Sequence, residues 1–217
     1  ILVGGLVGMT GVGGGALMTP ILVLLFGMHP ATAVGTDLLY ASITKTGGSI
    51  VHGYNRTVDW RVVGRLAMGS IPATALTIAV LYFVDVDSKT TQLMLTRVLG
   101  VALLFTAISL LIRKPLMQWY MHNLPEMPAE RVRKLTIFTG ALLGVLVSLS
   151  SVGAGAIGVT ALVFLYPRLE ARRIVGSDIA HAVPLTLCAG LGHSALGLID
   201  WHVLGSRPPR SIPAISV

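Results

Sequence analysis

The stretch VVGRLAMGSIPATALTIAVLYFV, residues Val62–Val84, decides the fold class, because Arg65 is its only charged residue. A second stretch, TQLMLTRVLGVALLFTAISLLI at Thr91–Ile112, also carries a single charge, again an arginine. Each is about the length that an α-helix needs to cross a bilayer core of roughly 30 Å. Of the 217 residues, 53% are hydrophobic and 12% are charged, whereas about a quarter of the residues in soluble domains are charged. The sequence therefore predicts an all-α, polytopic transmembrane helical bundle.

Further hydrophobic blocks flank these two stretches. One long polar connection, Arg113–Lys134, divides the hydrophobic blocks into two groups. This connection carries five basic residues, which is typical of a cytoplasmic loop beside anionic lipid. We expect a first transmembrane repeat over 1–112, a cytoplasmic linker loop over 113–134 and a second transmembrane repeat over 135–217. The predicted membrane blocks are Ile1–Phe26, Ala31–His52, Val62–Val84, Thr91–Ile112, Leu135–Tyr166 and Ile174–Ile199, with a doubtful stub after Trp201.

The two groups repeat each other. A glycine-rich segment near the start recurs 140 residues later, and after one inserted residue four further motifs recur at the offset 141. Internal duplication in an all-helical membrane protein is typical of secondary transporters. The second copy stops soon after Ala214, so two C-terminal helices are expected to be missing, and the start at Ile1 without Met suggests a fragment. The motifs matched at 141 are VGTD with VGSD (34–37 and 175–178), His52 with His193, Asp59-Trp60 with Asp200-Trp201, and SIPA with SIPA (70–73 and 211–214).

Both glycine-rich segments are predicted to break a membrane helix, because glycine lowers helix stability by about 1 kcal/mol relative to alanine. Broken backbone at membrane depth persists only where protein buries it or where it lines a wet cavity. Its free N–H groups and the dipole of the next half-helix would form an anion site. Close helix packing through small residues is the alternative. The candidate substrate-binding residues are Gly11, Gly13, Gly14 and Gly15 in the first segment and Ser151, Gly153 and Gly155 in the second.

Ionisable residues inside the hydrophobic blocks form the second candidate group, since such groups usually face a pathway or a partner. On a helix, Lys45 lies about 80° and His52 about 60° from Asp37, so the three share a face. Asp178, Thr186 and His193 repeat this face, with Thr186 in the place of Lys45. We expect Thr36, Asp37, Lys45, Ser177 and Asp178 to bind substrate, and Asp37, Asp178, His52 and His193 to be candidates for proton coupling. Alternatively, Asp37 and Asp178 cap helices and Lys45 is their internal partner.

The two Asp-Trp pairs, at 59–60 and 200–201, predict the start of a membrane span. Aspartate is a good helix N-cap, and tryptophan favours the depth of the lipid headgroups. We expect both pairs to have a structural role.

In order along the chain, these motifs resemble the bacterial sulfite exporter family, TauE/SafE, also called the four-toluene-sulfonate uptake permease family. The resemblance is densest in GVGGGALMTP (11–20), PATAVGTDLLYASITK (30–45) and TVDWRVVGRLAMGSIPA (57–73). It implies a multi-pass permease of the bacterial inner membrane, with two related halves, that moves a small sulfur-containing anion such as sulfite or a sulfonate. The residues themselves do not distinguish a sulfonate from a small carboxylate.

The alternatives to an anion permease are a cation or divalent-metal transporter and an intramembrane enzyme or non-transporting assembly subunit. A cation or divalent-metal transporter would use Asp37, Asp178, His52, His181 and His193, but the Lys45 ammonium would repel the cation. An enzyme lacks support, since neither H-E-x-x-H nor G-x-S-x-G occurs, and the sequence predicts no cofactor and no resident metal. The expected partners are a small anionic solute and membrane lipid; a homo-oligomer is compatible with the sequence, and no nucleic acid is expected.

Charge distribution also predicts a topology. The connection Arg113–Lys134 and the loop Pro167–Arg173 are both basic and should both lie in the cytoplasm. Both conditions hold if Leu135–Tyr166 enters the membrane and returns to the same side. By the repeat, Ile1–Phe26 would do likewise, and the two halves would be inverted. Helices over Ala31–His52 and Ile174–Leu198 should then run antiparallel.

Overall fold

The computed structural model describes the backbone of residues 15–86, 88–123, 127–201 and 203, and the side chains of the same residues except those of 15–16 and 113–123. The described residues form seven α-helices and no strand, which confirms the predicted all-helical fold class. The helices are α1 (Gly15–Leu24), α2 (Pro30–Tyr54), α3 (Trp60–Phe83), α4 (Lys89–Asn123), α5 (Ala129–Ser150), α6 (Ala156–Leu165) and α7 (Ala171–Ala195).

Within the described residues, four segments are long and apolar enough to cross a membrane: α3, the part of α4 over Lys89–Ile112, α5 and α7. Although α2 has 25 residues, it is more polar because it carries Asp37, Lys45 and several hydroxyl side chains, and it buries much of its surface inside the bundle. With ten residues, α6 extends about 15 Å, which is too short to cross the membrane.

Helix boundaries agree between two pairs of helices. The ends of α1 and α6, at Leu24 and Leu165, are 141 residues apart. Both α2 and α7 have 25 residues, and their starts at Pro30 and Ala171 are again 141 residues apart. This offset is the one at which the sequence motifs recur.

The two Asp-Trp pairs stand at the helix starts that the sequence predicts. Asp59 is the N-cap of α3, where its carboxylate accepts hydrogen bonds from the N–H groups of Arg61 and Val62 at 3.0 and 3.3 Å. Asp200 accepts one from the N–H of Val203 at 3.1 Å. Trp60 and Trp201 are both exposed, as expected for side chains at the headgroup level.

Close contacts between backbones set the helix directions. Gly69 of α3 packs against the carbonyl of Ile137 in α5, and Gly140 of α5 packs against the carbonyl of Leu66. Gly144 contacts Ser70 one turn further along both helices, so α3 and α5 run parallel. In the same way α7 runs parallel to α3, since Asp59 contacts Ser177 near one end and Ile78 contacts Gly192 near the other.

In contrast, α2 and α7 run antiparallel. Gly35, near the start of α2, packs against the carbonyl of Leu198, just beyond the end of α7. Gly176, near the start of α7, packs against the carbonyl of Thr57, just beyond the end of α2. This is the relative direction that the inverted arrangement of two halves requires.

The helices α5 and α6 form a hairpin. Tyr166, directly after α6, lies beside the start of α5, where its hydroxyl is 2.8 Å from Thr136 Oγ1. The same hydroxyl accepts a hydrogen bond from Arg65 Nη1 at 3.1 Å. The predicted segment Leu135–Tyr166 thus returns to the end of the bundle from which it starts.

The polar connection 113–134 differs from the loop predicted for it. α4 continues to Asn123 and α5 begins at Ala129, so most of the connection is helical. Between Arg113 and Asn123, Pro115 is the one residue that opposes helix continuation. The helix therefore continues for several turns beyond the apolar span, which ends at Ile112. The division of the chain into two repeats remains a prediction.

One end of the bundle, which we call the basic end, contains the starts of α3, α5 and α7 and the turn that follows α2. The opposite end contains the starts of α2 and α4 and the turn after α7. Basic residues at the basic end are Arg56, Arg61, Arg131, Arg133, Lys134, Arg168, Arg172 and Arg173.

Candidate functional site

The break between α5 and α6 is the centre of the candidate site. Ser151 ends α5 with φ 58°, and Gly153 and Gly155 follow with φ 120° and 119°. These angles favour glycine, because a Cβ is strained there. The second of the two predicted helix breaks is therefore confirmed. In the first, Gly11, Gly13 and Gly14 lie outside the described residues, and Gly15 is the first residue of α1.

All residues of this break, 151–155, are buried. The backbone N–H groups of Ala156 and Ile157 begin α6, and such groups have no acceptor within their own helix, whereas the N–H of Gly158 donates to the carbonyl of Gly153 at 3.2 Å. The hydroxyl of Ser151 is also buried and has no hydrogen-bond partner among the described residues. Buried donors of this kind are suited to an anionic ligand.

Asp37 and Asp178 lie well inside α2 and α7, and both are only 1% exposed. The alternative that they cap helices is wrong, because α2 begins seven residues before Asp37 and α7 seven residues before Asp178. Thr19 of α1 donates a hydrogen bond to Asp37 Oδ2 at 2.7 Å. Asp178 packs against Gly158 in the first turn of α6. A Cβ added to Gly158 would overlap the Oδ1 atom of Asp178.

Lys45 of α2 interacts electrostatically with the carboxylates of α2 and α7. It is half-buried, and the charges of Asp178 and Asp37 both act on it. Its ammonium makes no hydrogen bond and no ion pair within 4.0 Å among the described side chains. This arrangement agrees with the prediction that Lys45 shares a face with Asp37. The Lys45 ammonium forms no close ion pair with either carboxylate.

Thr36 and Ser177 have contacts that the sequence reasoning did not anticipate. Thr36 Oγ1 accepts a hydrogen bond from the N–H of Asp200, and Ser177 Oγ accepts one from the N–H of Asp59. Each hydroxyl thus holds the turn that precedes an Asp-Trp helix start. The two sites are at opposite ends of the bundle, so these residues join α2 and α7 to neighbouring turns, and their role in substrate binding remains only a prediction.

Comparison with known proteins identifies the family of this chain. The model of the family described as sulfite exporter TauE/SafE matches residues 1–216. The chain belongs to this family. A probable membrane transporter protein of Bacillus subtilis, YjnA, is 38% identical over 218 residues, which cover this whole chain and 85% of that protein. A second from the same organism, YdhB, is 27% identical over 94% of this chain and 79% of that protein. No solved structure matches.

In this TauE/SafE chain, His52 and His193 lie at opposite ends of the antiparallel pair α2 and α7. His52 Nδ1 is 2.8 Å from Thr57 Oγ1 at the basic end. His193 Nδ1 is 3.0 Å from the carbonyl of Ala189, and its Cβ faces Gly35. Of the four candidates for proton coupling, the structure thus brings together only Asp37 and Asp178.

The divalent-metal alternative gains no support in the part of this TauE/SafE chain that the structure describes. No group of three or more His, Cys, Asp or Glu side chains there could hold a metal ion. His181 is near Lys45, whereas His52 and His193 are at the two ends.

Sequence reasoning missed several buried residues around the centre of the TauE/SafE chain. Thr19 reaches Asp37 from α1, and Ser70 of α3 is hydrogen-bonded to His181 at 2.8 Å. Ser70 could have been found, since it begins the SIPA motif that recurs at the offset 141. Thr19 had no such signal, because a threonine in an apolar segment more often bonds to its own helix.

Proposed function

We propose that this membrane transporter carries a small anion, and that sulfite or an organic sulfonate is the substrate class. Its role as a transporter rests on the family and on the relatives named as probable membrane transporters. The choice of an anion rests on one observation: Lys45 is half-buried near the bundle centre, without a close ion pair among the described residues. The sulfur-containing substrate rests on the name of the family alone.

The environment of Lys45 supports this choice. The half-buried Lys45 ammonium interacts electrostatically with Asp178 and Asp37 but forms no close ion pair with either carboxylate, so a bound anion would supply an opposite charge at short range. The helix break adds the first N–H groups of α6 and the Ser151 hydroxyl on the adjacent helix hairpin. Hydrogen bonds to charged groups are roughly twice as strong as neutral ones, so this set of donors is suited to an oxyanion.

The charges at the centre also support proton coupling. Lys45 together with ionised Asp37 and Asp178 gives this group a formal charge of minus one. Adding a monovalent anion would bring it to minus two in a buried site, where charge repulsion is weakly screened. Protonation of one carboxylate restores the charge of the empty group. We therefore infer that one proton enters with each negative charge of the substrate.

The two halves are proposed to be inverted in the membrane. Their basic end would face the cytoplasm, since positively charged loops favour that side. The antiparallel directions of α2 and α7 and the return of the α5–α6 hairpin support this arrangement. Transport would then proceed by alternating exposure of the centre between α2 and α7 to the two sides.

Purified protein in liposomes tests the anion proposal. Uptake of labelled sulfite should be measured with competing sulfonate, carboxylate, chloride and divalent cations. Lys45→Met should lower binding and flux by about tenfold or more, whereas Lys45→Arg should keep part of both. If divalent cations are transported and anions are not, the proposal is wrong; if carboxylates replace sulfite fully, only its substrate class is wrong.

A further inference from the structure

His181 of α7 is a fully buried side chain to which the proposed function assigns no role. Its Nε2 atom is 2.8 Å from Ser70 Oγ of α3, and both residues are 0% exposed. Its Nδ1 atom is buried and has no hydrogen-bond partner among the described residues. A buried polar ring nitrogen without a partner is uncommon in proteins and calls for an explanation.

We propose that His181 donates a hydrogen bond from Nδ1 directly to the transported anion, as a partner of Lys45. This inference rests on the proposed anion transport and adds a specific ligand-binding atom to it. It also assigns Ser70 a positioning role, because the serine hydroxyl fixes which ring nitrogen carries the proton.

Counting protons at Ser70 and His181 supports a donor at Nδ1. If the Ser70 hydroxyl donates to Nε2, the serine is satisfied and the ring proton is on Nδ1. If instead Nε2 donates to Ser70, both the serine proton and the Nδ1 lone pair are left buried without a partner. Each unsatisfied buried group costs about 1–3 kcal/mol, so the first arrangement is favoured. A doubly protonated ring also carries a proton on Nδ1.

The position of His181 relative to charged groups supports an anion as the acceptor. His181 is one helical turn after Asp178 and within the electrostatic influence of Lys45. Asp37, on the same helix as Lys45, is the other titratable group that acts on Lys45. Lys45 and His181 belong to different helices, and in this proposal each donates to a different oxygen of the ligand.

Two donors from different helices would favour one chemical class of ligand. An oxyanion with two or more oxygens, such as sulfite or a sulfonate, can accept from Lys45 and His181 together. A halide offers one atom to both donors and benefits less from their separation. We therefore expect the His181 donor to contribute to oxyanion binding and little to halide binding.

A pair of substitutions tests the assignment. His181→Asn retains an N–H near the position of Nδ1, whereas His181→Gln retains one near Nε2 and so keeps only the Ser70 contact. His181→Gln should raise the sulfite Kd by about 10- to 100-fold, as expected for losing a hydrogen bond to a charged group. His181→Asn should stay within about threefold of the unchanged protein. Equal effects of both substitutions would overturn the inference.

A second measurement is made on the unchanged protein, and a variant is needed only to assign the signal. In protein labelled with nitrogen-15 histidine, the His181 signals should show a protonated Nδ1, and adding sulfite should shift that signal more than adding chloride. The His181→Asn spectrum assigns the signal among the six histidines. A proton on Nε2 alone, unchanged by sulfite, would overturn the inference.

The two proposals fail in different ways. If the unchanged protein binds no anion, the proposed function itself is wrong. If it binds sulfite, Lys45→Met abolishes binding and His181→Gln does not weaken it, anion transport stands and the role of His181 is wrong.

Discussion

The backbone N–H of Asp200 donates a hydrogen bond to Thr36 Oγ1 at 2.9 Å, across 164 residues of sequence. Its counterpart at the offset 141 is the bond from the Asp59 N–H to Ser177 Oγ at 2.8 Å. One bond is at each end of the antiparallel pair α2 and α7. Both are made in the same structure, so each end of this pair is hydrogen-bonded to a neighbouring turn.

Removing either hydroxyl should destabilise the protein. Thr36→Val and Ser177→Ala each leave a backbone N–H without its acceptor, at a cost of about 1–3 kcal/mol. Thermal unfolding in detergent should show a lower Tm for both, and Thr36→Ser should restore most of the loss. Thr46→Val is the matched control, because the exposed Thr46 bonds only to its own helix at Ser42. An unchanged Tm in Thr36→Val would contradict the assigned role.

Gly153 should tolerate no side chain. Its φ of 120° is strained for any L residue, and an added Cβ would lie 3.1 Å from Leu146 Cδ2. Gly153→Leu should therefore abolish transport while the protein still inserts into the membrane, and the same is expected of Gly13→Leu in the first glycine segment. Gly100→Ala in α4 is the control, since nothing lies within 4 Å of its added Cβ. Normal sulfite flux in Gly153→Leu would refute the role of the break.

The parallel packing of α3 and α5 should depend on Gly140. A Cβ there would overlap the carbonyl of Leu66, and overpacking of this kind costs about 1–3 kcal/mol or more. Gly140→Ala should lower the Tm by several degrees, whereas Gly64→Ala, whose added Cβ meets no atom within 4 Å, should not. Equal Tm values for the two variants would mean that the helices are not in this close contact.

Proton coupling should show in the pH dependence of transport. Since an anion is expected to enter with a proton, its binding should tighten as the pH falls, and an inward proton gradient should drive its accumulation. Asp178→Asn mimics a permanently protonated carboxylate, so its anion binding should depend less on pH. It should retain exchange of labelled for unlabelled sulfite but lose accumulation against a gradient. Accumulation that ignores the proton gradient would exclude this mechanism.

The inverted topology can be tested by labelling single cysteines. Cys188 is the only native cysteine, so Cys188→Ala provides a background for Glu170→Cys and Ser88→Cys. In intact cells an impermeant thiol reagent should label position 88 and not position 170. Labelling of Glu170→Cys from outside would show that the α5–α6 hairpin does not return to the cytoplasmic side.

The lengths of the apolar stretches were sufficient to predict the membrane helices but not the contacts between them. The apolar stretch Val62–Val84 and the Asp59-Trp60 start correspond closely to α3, because a span needs apolar length and a cap, which are both local properties. The continuation of α4 to Asn123 was missed, because charged and apolar residues are equally compatible with a helix outside the membrane.

The candidate site was predicted less completely, because it is built from distant parts of the chain. The glycine break and the shared face of Asp37 and Lys45 follow from local spacing. The contact of Thr19 with Asp37 and of Ser70 with His181 depends on how α1 packs on α2 and α3 on α7. One sequence contains no direct signal of such packing.

The return of the α5–α6 hairpin has a consequence for the electrical behaviour of the transporter. Tyr166 is suited to the membrane interface, and α6 leads from there about 15 Å inward, roughly half of the hydrocarbon core. A charge that moves between the hairpin tip and the opposite face would therefore cross about half of the membrane voltage. At 100 mV that displacement is equivalent to about 1 kcal/mol per elementary charge, so membrane potential would bias on which side an unbalanced anion is released.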